Sequence, residues 1–224
     1  MCTLTFLPNA HGFILTSNRD EAPGRATLVP QEYTVAGVKL VFPKDVVAGG
    51  TWIGLSEKDR LICLLNGGFE AHQRESAYRL SRGVVVKDLL ITDDIISSIE
   101  AYDLNGVEPF TLILVRWESA LELYELVWDG NKKHVAKKPI EPTIWSSSLL
   151  YTSEVKKERE HWFEEFLKTQ PEPTASQLLH FHRTAGTGDL HNDLVMDRKV
   201  VRTKSISQVI KSANQLSMTY QEIG

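Results

Sequence analysis

Residues 1–21 read MCTLTFLPNAHGFILTSNRDE, and this stretch decides the fold. Residues 3–7 and 13–17 are β-prone, and Pro8-Asn9-Ala10-His11-Gly12 between them carries turn chemistry, so the stretch predicts a β-hairpin. In a hairpin the start of one strand and the end of the other are neighbours. That register would set Cys2 beside Arg19, with Ser17-Asn18-Arg19-Asp20-Glu21 around the beginning of the chain. Once the initiator Met1 is removed, Cys2 carries a thiol nucleophile and a free α-amine on one residue.

Working outward, residues 22–48 are rich in turn formers, with short β-like pieces at 32–35 and 38–42. Gly49-Gly50-Thr51-Trp52-Ile53-Gly54 follows, then an apolar strand over 61–65 that ends at Asn66-Gly67-Gly68, a sharp exit from a strand. Residues 70–82 are polar and helix-compatible. Residues 84–91 and 94–102 predict two packed helices, the second capped by Thr92-Asp93. Strands over 110–117, 121–128 and 134–137 predict an antiparallel meander. Trp145-Ser146-Ser147-Ser148 reads as a small-polar loop. The clearest helix is 154–168, with Val155, Trp162, Phe163, Phe166 and Leu167 on one stripe at helical spacing. Pro171 and Pro173 stop it, a helix restarts over 175–182, and a glycine-rich loop at 185–189 leads to a strand over 200–206. Strands at both ends and in the middle, with helices in two clusters, predict one α+β domain over residues 1–224.

Composition excludes several classes. The 224 residues are 42% hydrophobic, ordinary for a packed core. A net charge of -4 with dispersed Lys and Arg leaves no electrostatic footprint for nucleic acid. No apolar run approaches the roughly 20 residues of a membrane-spanning helix. The first residues lack a basic segment and a cleavage site, so a cytoplasmic location is expected. Cys2 and Cys63 read as separate thiols, Cys63 buried and inert.

The chemistry centres on Cys2. A thiol attacks as thiolate, and an adjacent α-amine of ordinary pKa about 7.7 to 8.0 accepts its proton near neutrality, with no histidine required. Arg19 would favour the thiolate or hold a developing charge, and Asp20 would hold the α-ammonium. Asn66 either aims its amide at an oxyanion or completes a turn before two glycines. Gly49 and Gly50 lack a phosphate-binding pattern. His180, His182 and His191 match no zinc spacing, so no metal is expected. Ser146 to Ser148 contain no nucleophile elbow.

Met1-Cys2, then Ser17-Asn18-Arg19-Asp20-Glu21, Gly49-Gly50-Thr51-Trp52-Ile53-Gly54 and Leu65-Asn66, resemble the NRDE family, also called the transport and Golgi organisation protein 2 family. The resemblance runs nearly end to end and weakens beyond residue 140. That family looks like a branch of the N-terminal nucleophile hydrolases, so the resemblance implies a four-layer αββα sandwich. Similarity to cysteine-type members, such as the bile-salt and penicillin V amidases, implies Cys2 as nucleophile and base, Arg19 and Asp20 flanking it, and Asn66 near the oxyanion. Their further Asn falls at Ser147 and their late Arg at Lys204. Ser lacks the amide donors of Asn, and Lys lacks the planar fork of Arg, so the supporting ring departs from the family pattern.

The resemblance implies hydrolysis of a non-peptide C–N amide bond in a small, partly apolar molecule through a thiol acyl-enzyme, without a cofactor. The alternative is a non-catalytic binder or chaperone of an apolar ligand such as haem or an acyl lipid. Trp52 and Ile53 would line the substrate or ligand site in either case, and His180 or His182 would matter in the second.

Overall fold

The 1–21 stretch forms a hairpin in which Ala10 and His11 alone turn β1 (Thr3–Asn9) into β2 (Gly12–Glu21). The Asn9 side chain accepts the His11 N–H at 2.9 Å, a local bond that closes the turn. At Gly12 a Cβ would stand 2.2 Å from the Lys211 carbonyl oxygen, so only glycine admits the neighbouring strand there. The remaining elements are β3 (Thr27–Val35), β4 (Val38–Asp45), β5 (Ile53–Ser56), β6 (Arg60–Asn66), α1 (Arg82–Leu90), α2 (Ile95–Ala101), β7 (Phe110–Arg116), β8 (Glu122–Trp128), β9 (Lys133–Lys138), β10 (Thr143–Ser146), α3 (Ser153–Thr169), α4 (Ala175–Thr184), β11 (Arg202–Lys211) and β12 (Leu216–Glu222). This computed structural model describes residues 3–213 and 215–223, and Cys2 lies outside the described residues.

Two compact units emerge: residues 1–24 with 141–224, and residues 25–140. The first, the hairpin unit, holds a five-stranded antiparallel sheet in the order β10-β1-β2-β11-β12. Both strands of the hairpin are thus flanked, β1 by β10 and β2 by β11. Helices α3 and α4 cover one sheet face, where Leu7, Ile14, Phe163, Leu178, Phe181 and Leu194 form an apolar cluster. The amphipathic stripe of α3 places Trp162, Phe166 and Leu167 against that cluster.

The second, the meander unit, holds a seven-stranded antiparallel sheet in sequence order from β3 to β9. Helices α1 and α2 interrupt the run between β6 and β7 and pack on one face. Val85, Val86, Leu89, Leu90, Ile95 and Ile99 meet Ile62 and Leu64 of β6 and Phe110, Leu112 and Leu114 of β7. Successive strand residues point to opposite faces, and here both sets are buried, which is why β6 and β7 read as near-continuous apolar runs. At Gly50 a Cβ would meet the Gly83 carbonyl carbon at 2.5 Å, so this glycine lets the backbone pass against the first turn of α1.

Several local expectations are corrected. Residues 70–80 are not helical: the segment lacks an apolar stripe, and His72, Arg74 and Arg82 instead converge on buried Glu108. The cap of α2 is Asp94, whose carboxylate accepts the N–H groups of Ile96 and Ser97, rather than Thr92-Asp93. Trp145 and Ser146 belong to β10, because pairing with β1 satisfies their backbone groups. The strand expected over 200–206 runs on to Lys211 as β11, and a further strand, β12, pairs with it.

Candidate active site

The hairpin register sets the geometry. Thr3 lies opposite Asn18 of β2 on one side and Ser146 of β10 on the other. In β11 a bulge falls between Thr203 and Ser205, so Thr203 faces Asp20, Ser205 faces Arg19, and Lys204 has no direct register partner in β2. Arg19, Asp20 and Lys204 therefore gather at the end of β2 level with the chain's beginning. The Lys204 ammonium donates to the Pro23 carbonyl at 2.9 Å. The Arg19 guanidinium stands 3.8 Å from the Glu21 carboxylate.

Arg19 and Asp20 are both buried but leave consecutive strand positions, so their side chains depart on opposite faces. Asp20 shares the helix-covered face with Asn18. Its Oδ1 accepts the Thr203 hydroxyl at 2.6 Å, and its Oδ2 accepts the Tyr151 hydroxyl at 2.7 Å. Ser147 is buried just past β10, and its carbonyl accepts the Tyr151 N–H at 3.1 Å. One tyrosine thus links the Ser147 turn to the Asp20 carboxylate.

Beneath the same strands lies a polar network that the sequence reading missed. Arg159 of α3 is fully buried. It donates to the Thr3 hydroxyl, to the Asn192 carbonyl at 2.8 Å and to the Asp193 carbonyl at 2.8 Å, and its guanidinium carbon sits 3.6 Å from the Tyr151 ring centre. Carbonyl oxygens and an aromatic face compensate this buried cation. The detectable signal was its position: residue 159 falls on the apolar stripe between Val155 and Trp162, where a charge needs an explanation.

His182 of α4 is buried as well. Its Nδ1 meets Asn18 Oδ1 at 2.6 Å and its Nε2 meets the Thr5 hydroxyl at 2.7 Å. The Asn18 amide donates to the His182 and Leu194 carbonyls, so Asn18 Oδ1 is an acceptor. Nδ1 therefore carries the proton, and Nε2 accepts from Thr5. Burial, followed by the nearby Arg159 cation, pushes the His182 pKa down to about 3. A neutral ring with both nitrogens engaged is no ligand for haem iron, which corrects the role His182 had in the alternative reading. His180 is exposed on the same helix.

The meander unit holds the other expected residues. Trp52 and Ile53 are buried at the head of β5, where Ile53 pairs with Cys63. Asn66 is the half-buried last residue of β6, opposite Phe110. Cys63 is buried in β6. Among the described residues no group of His, Cys, Asp and Glu is arranged to hold a metal, and no helix is long and apolar enough to cross a membrane.

Solved structures show what this fold is. A Caenorhabditis elegans N-acylethanolamine-hydrolyzing acid amidase ortholog is 10% identical with a TM-score of 0.66, each chain covered in full. A variant of conjugated bile acid hydrolase from Clostridium perfringens is 8% identical with a TM-score of 0.56, over 99% of this chain and 92% of that one. Penicillin V acylase from Agrobacterium tumefaciens is 10% identical with a TM-score of 0.56, over 100% and 86%. The molecule accordingly has the mixed α+β sandwich fold of the N-terminal nucleophile hydrolases, as the family resemblance implied. Within that class, the chain belongs to the Transport and Golgi organisation 2 family, whose sequence model matches residues 1–219. No curated protein matches the chain.

Proposed function

We propose that the chain is an N-terminal-cysteine amidohydrolase that cleaves a non-peptide C–N amide bond of a small, partly apolar molecule. The observation that carries this reading is the pairing of Thr3 with Asn18 and Ser146 at the strand ends where Arg19, Asp20 and Ser147 are buried. Cys2 is one peptide unit, about 3.8 Å between α-carbons, from Thr3. The fold supports the same reaction class, since the similar structures are an acid amidase, a bile acid hydrolase and a penicillin acylase.

In this reading, removal of Met1 frees the Cys2 amine, which takes the thiol proton. The thiolate adds to the amide carbonyl carbon. The C–N bond then breaks as the α-ammonium returns a proton to the leaving amine, giving an S-acyl thioester. Water, deprotonated by the α-amine, adds to the thioester and releases the acid. Arg19 stabilises the thiolate, Asp20 orients the α-ammonium, and Ser147 and Lys204 complete the ring.

Intact-mass spectrometry tests the reading. Protein isolated from its native host lacks Met1, and incubation with a panel of N-acyl amides adds one acyl mass to Cys2. Cys2→Ala gives neither adduct nor turnover. Retained Met1, or turnover that survives Cys2→Ala, defeats the proposal.

A further inference from the structure

We infer that Tyr151 is a positioning residue: held by Arg159, it fixes the Asp20 carboxylate at the chain-start end of β2 and so couples Asp20 to the Cys2 amine and thiol. This rests on the role proposed for Cys2 but not on any substrate.

Four contacts converge on the tyrosine. Its N–H is tied to the Ser147 carbonyl past β10, and its hydroxyl to Asp20 Oδ2 in β2. Arg159 lies 3.6 Å from its ring centre while bonding the Thr3 hydroxyl in β1. Arg198 lies 5.1 Å from the same ring centre and donates to the Leu150 carbonyl next in sequence. One tyrosine and one arginine therefore tie together the ends of three strands, all at the level of the chain's beginning.

A purely structural prop would not need this chemistry. Buried charges carry a desolvation cost that apolar residues of the same volume avoid. Cations at the Tyr151 ring draw electron density from the phenol and strengthen it as a donor to the carboxylate. With Thr203 on Oδ1 and Tyr151 on Oδ2, both carboxylate oxygens are held and Asp20 keeps one orientation.

Tyr151→Phe removes one oxygen and keeps the ring beneath the guanidinium. Iodoacetamide alkylation of Cys2, followed peptide by peptide across pH, reads the nucleophile without any substrate. An anion held beside the Cys2 amine and thiol raises the pH at which each loses its proton. Once Oδ2 is released, the alkylation midpoint falls by about half a pH unit, and the melting temperature falls by several degrees because a buried carboxylate oxygen loses its donor. Arg159→Lys keeps the cation but loses the planar fork, gives a smaller fall in the same direction, and serves where Tyr151→Phe does not fold. A midpoint unmoved or raised in either folded variant overturns the inference. Substrate turnover and coupling fail separately. A midpoint that falls without any acyl adduct on Cys2 defeats the hydrolase and leaves the Tyr151–Asp20–Cys2 coupling standing. An adduct with an unmoved midpoint defeats the coupling alone.

Discussion

The two units bury different things under their helices. In the meander unit, α1 and α2 meet the sheet through a large apolar layer that includes Leu40, Phe42, Ile62, Leu64, Phe110, Leu112 and Leu114, with buried Arg60 and Glu108 bonded near the helix ends. In the hairpin unit the apolar cluster beneath α3 and α4 is small, and beside it lie Thr3, Thr5, Asn18, Asp20, Arg159 and His182, all buried. Apolar burial stabilises by roughly 25 cal/mol per Å², whereas each buried polar group must be matched to a partner before it stops being a cost. The meander unit is thus built as scaffold, and the hairpin unit carries a polar network directly under the strand ends where the candidate nucleophile begins.

That contrast can be broken by mutation and urea denaturation. Phe110→Ala removes a fully buried ring from the apolar layer and should cost about 3–5 kcal/mol. Arg159→Met keeps side-chain length but strands the Asn192 and Asp193 carbonyls and the Thr3 hydroxyl, and should cost about 2–4 kcal/mol. A loss near zero for Arg159→Met would mean that the network adds nothing to the hairpin unit, and the contrast would reduce to composition.

Acid sharpens the same difference. His182 binds a proton at about pH 3 when folded and near 6.5 when unfolded. The unfolded chain therefore binds more protons between those values, and stability falls as pH drops through that window. From about pH 6.5 to 5 this amounts to about 2 kcal/mol, taking about 1.36 kcal/mol per unit. His182→Gln should flatten that limb of the stability profile relative to the parent. Equal slopes for the two proteins would show that His182 is not held neutral.

The hairpin, the 110–138 meander and α3 were legible because each rests on a periodicity that local sequence carries. Trp145-Ser146 was not, since four residues of β10 become a strand only by pairing with β1, a partner about 140 positions away. The 70–80 segment misled in the opposite sense: helix-compatible residues stayed irregular, with no apolar stripe to bury and with His72 and Arg74 drawn to Glu108. At the site, Arg19 and Asp20 stood out as a charged motif. Tyr151, Thr203 and Arg159 did not, because what matters in them is a contact 131, 183 or 156 positions away. Arg159 came nearest to being readable, as a charge on an apolar stripe.

The smallest effect tests whether the contrast belongs to the interior alone. Ser81 caps α1 by accepting the Gly83 N–H, and Thr174 caps α4 in a capping box with Gln177. Both satisfy backbone donors that no intrahelical partner reaches, and neither belongs to the layer beneath its helix. Ser81→Ala and Thr174→Ala should therefore each cost about 1 kcal/mol, without regard to which unit holds the helix. If the Thr174 variant also shifts the pH at which Cys2 is alkylated, the cap communicates with the polar network through α4, and the division between periphery and network in the hairpin unit fails.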